Sequence, residues 1–142
     1  MSSLLGAFNA SASALDAQRT RIEVAVSNIA NADSTKGPDG QPYRRRDVVL
    51  GAQPQDTFDA ALGRADAVGV QVQQIVEDQM PFRRRYEPSH PDADAQGFVA
   101  LPNVDVPEEM VDMLGAARAY QANITAMGLI KDTISKALEL GK

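Results

Sequence analysis

The chain has 142 residues, a net charge of −5, one His, no Cys and no Trp. Zero Cys excludes disulfides, thiolate nucleophiles, iron–sulfur clusters and Cys-based zinc sites; a single His excludes a multi-His metal site; the acidic balance argues against electrostatic binding to nucleic acid. Ala supplies 22 of the apolar residues and buries little area, so the chain lacks material for one large private core.

The first zone, about Ser3 to Ala32, has no Pro and reads as a helix. Phe8, Leu15, Ile22 and Ile29 recur every seventh residue, and Leu5, Ala12 and Val26 form a second row that Arg19 interrupts. No run of about 18 apolar residues occurs, which predicts no membrane span. The first 15 residues carry no Lys or Arg, and Leu4–Phe8 is too short for the apolar part of a secretory signal. The expectation is a cytoplasmic protein, or one exported without a cleaved signal.

The middle zone, about Asp33 to Pro102, holds seven of the eight prolines and reads as short strands and turns, enough for a small sheet. Val68, Val70 and Val72 alternate with Gly69, Gln71 and Gln73, the period-2 pattern of a half-buried strand. Asp47–Leu50, Pro81–Tyr86 and Gly97–Leu101 are further candidate strands. Thr57–Ala67 fits a short helix or a loop equally well.

The last zone, about Val104 to Leu140, reads as a second long helix. Asp105 suits its N-cap, Pro107 its first turn, and Glu108 and Glu109 the positive end of its dipole. Val106, Met113, Tyr120, Met127 and Ile134 form one heptad row. Met110, Ala117, Ile124 and Leu138 form the other, with Lys131 as the exception. Each long helix also carries small residues at helical spacing: Ala7, Ala10, Ala14 and Ala17 in the first, Gly115, Ala119, Ala122 and Ala126 in the last. A two-helix hairpin uses one face of each helix, so the small faces are expected to meet other subunits. Ala is also simply the best helix former.

The fold expected is mainly α with a small β-rich middle module. Residues 1–35 form an N-terminal coiled-coil helix, 36–102 a loop and the middle module, and 103–142 a C-terminal helix paired with the first.

Little in the chain fits catalysis. His90 sits in Pro88-Ser89-His90-Pro91-Asp92, where adjacent side chains do not converge as a triad requires. Asp92-Ala93-Asp94-Ala95-Gln96-Gly97 resembles the start of a calcium loop, but the twelfth position is Asn103 instead of a bidentate Glu. Two similar segments, Pro42-Tyr43-Arg44-Arg45-Arg46 and Pro81-Phe82-Arg83-Arg84-Arg85, could clasp phosphates. Acids beside them favour ion pairs within the chain or across a subunit contact, with Arg44, Arg45, Arg83 and Arg84 as interface candidates. No metal, cofactor or nucleic-acid site is expected.

Asn28-Ile29-Ala30-Asn31-Ala32-Asp33, followed by Thr35, Gly37 and Tyr43, resembles the signature of the bacterial flagellar rod and hook proteins. The longer turn Thr35–Arg45 is similar to the C-type proximal-rod branch, as are Pro88–Asp94, Pro102-Asn103-Val104, Glu109–Met113 and Arg118–Asn123. The resemblance implies a structural subunit of a helical tubular assembly, the drive shaft crossing the periplasm. It implies export by the flagellar type III apparatus without a cleaved signal, and polymerisation through the terminal helices into part of the export channel wall. The implied partners are copies of itself, other rod subunits, the rod-base adaptor and the membrane-ring proteins. The motif residues Asn28, Ala30, Asn31, Thr35, Gly37 and Tyr43 are then a joint at the end of the first helix. The seam residues are Phe8, Leu15, Ile22 and Ile29 against Val106, Met110, Met113, Tyr120, Ile124, Met127 and Ile134. A rival reading is a helical adaptor or secretion chaperone of the same export system.

Overall fold

The computed structural model describes residues 2–53 and 68–140. In chain order these form helix α1 (Ser2–Ala30), strands β1 (Arg46–Ala52), β2 (Val70–Glu77), β3 (Arg83–Tyr86) and β4 (Phe98–Leu101), and helix α2 (Val106–Leu140). At 35 residues, α2 is about 50 Å long. The segment Thr57–Ala67 lies outside the described residues.

The chain forms two compact units. One is built from Arg21–Val48 and Ile75–Leu114, the other from the described parts of Met1–Thr20, Val49–Gln74 and Gly115–Lys142. Each long helix contributes one end to each unit.

The first unit holds the turn that ends α1. The Asn31 amide donates to Ser27 O and Asn28 O, and Ala32 N donates to Ile29 O, tightening the last turn. The Asn31 side chain adds a second bond to the same carbonyl, from Nδ2 to Ser27 O at 2.8 Å. At the other helix, Asp105 caps α2: its backbone oxygen accepts from Glu109 N, and its Oδ1 lies 3.5 Å from Glu108 N.

The four strands make two separate two-stranded sheets, β1–β2 and β3–β4, where a single small sheet was expected. Backbone bonds from Gln53 N to Gly69 O and from Asp78 N to Arg45 O bracket β1 and β2 and make them antiparallel. β3 and β4 are antiparallel, with Arg84 opposite Ala100 and Tyr86 opposite Phe98. The Tyr86 and Phe98 rings meet edge to face at 5.3 Å. All four β3 residues are exposed, whereas Val99 and Leu101 of β4 are buried. With Pro102 and Val104 they form the centre of this unit's core. The turn before β4 needs Gly97, whose φ is +83° and whose position has Tyr86 and Pro88 packed close against it.

In the second unit, β2 starts against α1. Ser13 Oγ donates to Ala10 O at 2.8 Å and accepts from Val70 N at 3.0 Å. A Cβ at Gly69 would fall 2.8 Å from that hydroxyl, so a larger residue there would displace the Ser13 side chain from its bond to Val70 N. Ser13, Ala17, Thr20 and Val70 line one shallow cleft between helix and strand. Ala17 is buried. It was expected to meet a neighbouring subunit, and instead it serves its own chain, because a larger side chain would hold β2 away from α1.

The heptad rows also sort differently from expectation. Phe8, Leu15, Ile22 and Ile29 on α1 are half-buried, as are Val106, Met113, Tyr120, Met127 and Ile134 on α2. Met110 and Ile124, assigned to the seam, are exposed. The second inward row of α2 is Glu109, Ala116, Asn123 and Ile130, also spaced by seven: the first two are buried and the last two half-buried. The first three positions of this row hold small or hydrogen-bonding residues, and only Ile130 is large and apolar. Asn123 Nδ2 donates to Ala119 O within the helix, and Glu109 finds partners described below.

Candidate functional site

The joint is built around Asn28, on the last turn of α1 and only 1% exposed. A primary amide has two N–H donors and two acceptor lone pairs, and here all four are used. Nδ2 donates to Arg46 O at 2.8 Å and to Glu109 Oε2 at 2.9 Å. Oδ1 accepts from Arg46 N at 3.0 Å and from the Tyr43 hydroxyl at 2.9 Å. One side chain thereby fixes the end of α1, the entry to β1 and the start of α2. The Tyr43 hydroxyl also lies 3.4 Å from Ser27 Oγ.

Glu109 is 2% exposed, and a buried carboxylate requires compensation. Its other oxygen accepts from Arg45 Nε at 2.6 Å. The Arg45 guanidinium is further surrounded by Asp47, Asp78 and Asp112 at 3.7–3.9 Å. Burial pulls the Arg45 pKa down, but the Glu109 hydrogen bond and charge, with Asp47 and Glu108, outweigh it and the net shift is upward. The guanidinium therefore stays charged. Its backbone N–H donates to Asn103 Oδ1 at 2.9 Å, and Asn103 Nδ2 reaches Asp78 O and Met80 O.

The other motif residues build the turn after α1. Ser34 Oγ donates to Asn31 Oδ1 at 3.2 Å. Thr35 Oγ1 and Lys36 Nζ both donate to Asp92, at 2.8 and 2.9 Å. Gly37 N donates to Gln41 O, and Gly40, at φ +75°, turns the chain between them. Ala30 is exposed, and nothing in the structure explains its place in the motif; Ala32 is the buried alanine of this turn.

The acidic loop is saturated by protein donors. Asp94 Oδ1 accepts from Gln96 N and Phe98 N, and its Oδ2 takes Arg84. Asp94 is held below the ordinary carboxylate range by the Phe98 amide first, then by Gln96 and Arg84; Asp92 is held below it by the Lys36 and Thr35 bonds. His90 Nδ1 accepts from Asp92 N, as a turn residue does. Among the described residues no group of His, Cys, Asp and Glu is arranged to hold a metal, and no helix is long and apolar enough to cross a membrane.

The arginines proposed as interface groups have partners within the chain. Arg44 stacks 4.4 Å over Phe82, joining the two Arg-rich segments, and Arg45 is committed to Glu109. Arg83 Nε donates to Pro102 O, and Arg84 pairs with Asp94 and lies over Phe98. Of the small residues, Ala7, Ala10, Ala14, Ala119 and Ala126 are half-buried, while Gly115 and Ala122 are exposed. Sequence reasoning missed Glu109 as the partner of Asn28. The available signal was a carboxylate falling on the inward heptad row with Ala116 and Asn123, which dipole reasoning at the helix start concealed.

Several large apolar side chains of α2 stand in water. Val111 is 71% exposed and Leu129 64%, and Met110, Leu114, Ile124 and Leu138 are about half exposed.

Residues 8–38 match the family described as flagella basal body rod protein, and residues 95–140 match the C-terminal region of the flagellar basal body rod FlgEFG proteins. The first match contains Asn28, Asn31 and Thr35, and the second contains Asn103 and Glu109. The chain is 49% identical to the flagellar basal-body rod protein FlgC of Salmonella typhimurium over 98% of both chains. It is 45% identical to FlgC of Bacillus subtilis over 94% of this chain and 95% of the relative. With FlgC of Aquifex aeolicus the identity is 38% over the whole of both.

The chain belongs to the flagellar basal-body rod protein FlgC family. It is a structural subunit of the flagellar basal-body rod and not an enzyme. The polar joint and the free apolar side chains are thus features of an assembly component of the FlgC family.

Proposed function

We propose that this chain is a proximal-rod subunit that carries torque and forms part of the export channel wall by polymerising through its terminal helices. The observation that carries the reading is the set of apolar side chains along α2 that one chain leaves in water, from Met110 and Val111 to Leu129 and Leu138. Repeated contacts between unlike surfaces of identical chains build a helical tube when the rotation does not close a ring. Load then passes through many packed contacts, while the joint at Asn28 keeps the helix ends from yielding. The subunit reaches the periplasm through the flagellar type III export apparatus without a cleaved signal. Its neighbours are copies of itself, other rod subunits, the rod-base adaptor and the membrane-ring proteins.

The test is a strain carrying Val111→Asp with Leu129→Asp. The expected result is an exported, folded subunit, no rod beyond the membrane ring in imaged basal bodies, and no swimming. Normal rods and motility in that strain would overturn the reading.

A further inference from the structure

Both helices repeat their half-buried apolar residues with the same period. Phe8, Leu15, Ile22 and Ile29 on α1 and Met113, Tyr120, Met127 and Ile134 on α2 are each spaced by seven. A slide of one helix past the other by one heptad therefore repeats the same pattern of apolar positions, and the alanines around them offer little steric resistance. Apolar packing alone leaves the register of such a pair underdetermined.

We propose that the Asn28–Glu109 hydrogen bond, with Arg45 behind Glu109, sets the register in which α1 and α2 pair. The two side chains are bonded at 2.9 Å and both are almost wholly buried. Three residues back on α1 and three forward on α2, Ala25 and Asp112 line one cavity with Glu109, so the helix ends run antiparallel here. In a register slipped by seven residues, Asn28 faces Ala116 and Glu109 lies beyond the end of α1. The amide then loses its partner on α2, and the carboxylate is drawn away from Arg45. A slip the other way sets Pro102, outside α2, against Asn28. Each alternative leaves a buried polar group unpaired, whereas the observed register satisfies all of them. A polar pair at one seam position thus excludes the registers that the apolar rows permit, whatever the helices dock against later.

The absence of Cys allows a clean test. Two double-cysteine reporters are made in the full chain: Ala25→Cys with Asp112→Cys for the observed register, and Ala25→Cys with Ala119→Cys for the slipped one. A short thiol-to-thiol crosslinker reads their relative rates. In the otherwise unchanged chain the first reporter is expected to crosslink and the second not. Glu109→Leu fills the buried position with an apolar side chain, leaves Asn28 its bonds to Arg46 and Tyr43, and leaves Arg45 the Asp47 and Asp78 carboxylates in both reporters. In that background the ratio of the two rates is expected to fall by roughly tenfold or more, the effect of one lost buried hydrogen bond to a charged group. Val99→Ala, in the core on β4, is the control: it lowers stability without moving the ratio. An unchanged ratio in Glu109→Leu overturns the proposal. So does a Glu109→Leu chain that circular dichroism shows to be unfolded, because a register lock is separable from folding.

Discussion

The start of α2 and its distal half meet different demands. Around Glu109 the inward face is polar, buried and fully bonded: Asn28 uses all four of its hydrogen-bonding positions, and Glu109 is held by Arg45. Beyond Ala116 the larger inward residues are Tyr120, Asn123, Met127, Ile130 and Ile134, each only half-buried, while Ile124, Leu129 and Leu138 stand in water. The start of the helix is anchored inside the chain on one face, although Met110, Val111 and Leu114 stand in water on the other; among the described residues the distal half has no comparable buried polar anchor. The chain's own stability should therefore concentrate at the joint, and the distal helix should depend on neighbours.

The strongest way to break that contrast is Arg45→Ala. It strands the Glu109 carboxylate without its closest cation, and breaking a buried pair costs about 3–5 kcal/mol. A urea melt of the monomer followed by circular dichroism measures it; a loss below about 1 kcal/mol would mean that the joint is not where stability lies. Next comes Asn28→Ala, expected to cost about 2–3 kcal/mol, because several buried groups lose a partner at once. Hydrogen exchange sharpens the comparison without a mutation. Amides of residues 22–30 and 109–114 are expected to be protected in the dilute monomer, and those of residues 125–140 to exchange quickly, since a helix with little buried area does not offset its backbone entropy. Equal protection in both regions would erase the distinction. Leu129→Asp should change monomer stability by less than about 0.5 kcal/mol, as an exposed site does.

Much of this architecture was legible in the sequence. The two long helices and all four strand positions follow from periodicity and proline placement, with Asp105 marking the start of α2. The division of the strands into two sheets was not legible, because alternation at Val70 and Val72 says which face is buried but not which strand pairs with it. The joint was half legible. Asn28, Asn31, Thr35 and Tyr43 stood out as a motif, but their partners Glu109, Arg46 and Asp92 lie far along the chain or read locally as a dipole charge, a basic cluster and a calcium-like turn. The heptad rows failed at Met110 and Ile124 for a related reason. In a helix with apolar residues on more than one side, hydrophobicity alone does not say which row faces inward; Ala116, Asn123 and the demand of a buried carboxylate do.

The smallest expected effect concerns acid, and it links the turn after α1 to the loop before β4. Asp92 is held below its usual value of 3.8 by Lys36 and Thr35, and Asp94 below the same value by the Phe98 amide, Gln96 and Arg84. A carboxylate whose folded pKa is depressed contributes stability that is present above the unfolded value and lost as pH falls through the folded one. The turn should thus be unaffected by pH between neutrality and about 5, and weaken progressively below about 4. Asp92→Asn removes one of the two titrating groups, so its unfolding midpoint should change less between pH 5 and pH 3 than that of the parent, with a slightly lower value at neutrality. An identical acid response in both chains would show that the Thr35–Asp92–Lys36 bridge does not hold the loop. The midpoint shift should be smaller than that caused by any change at Asn28 or Arg45, because these carboxylates are reached by water while Asn28 and Glu109 at the joint are buried.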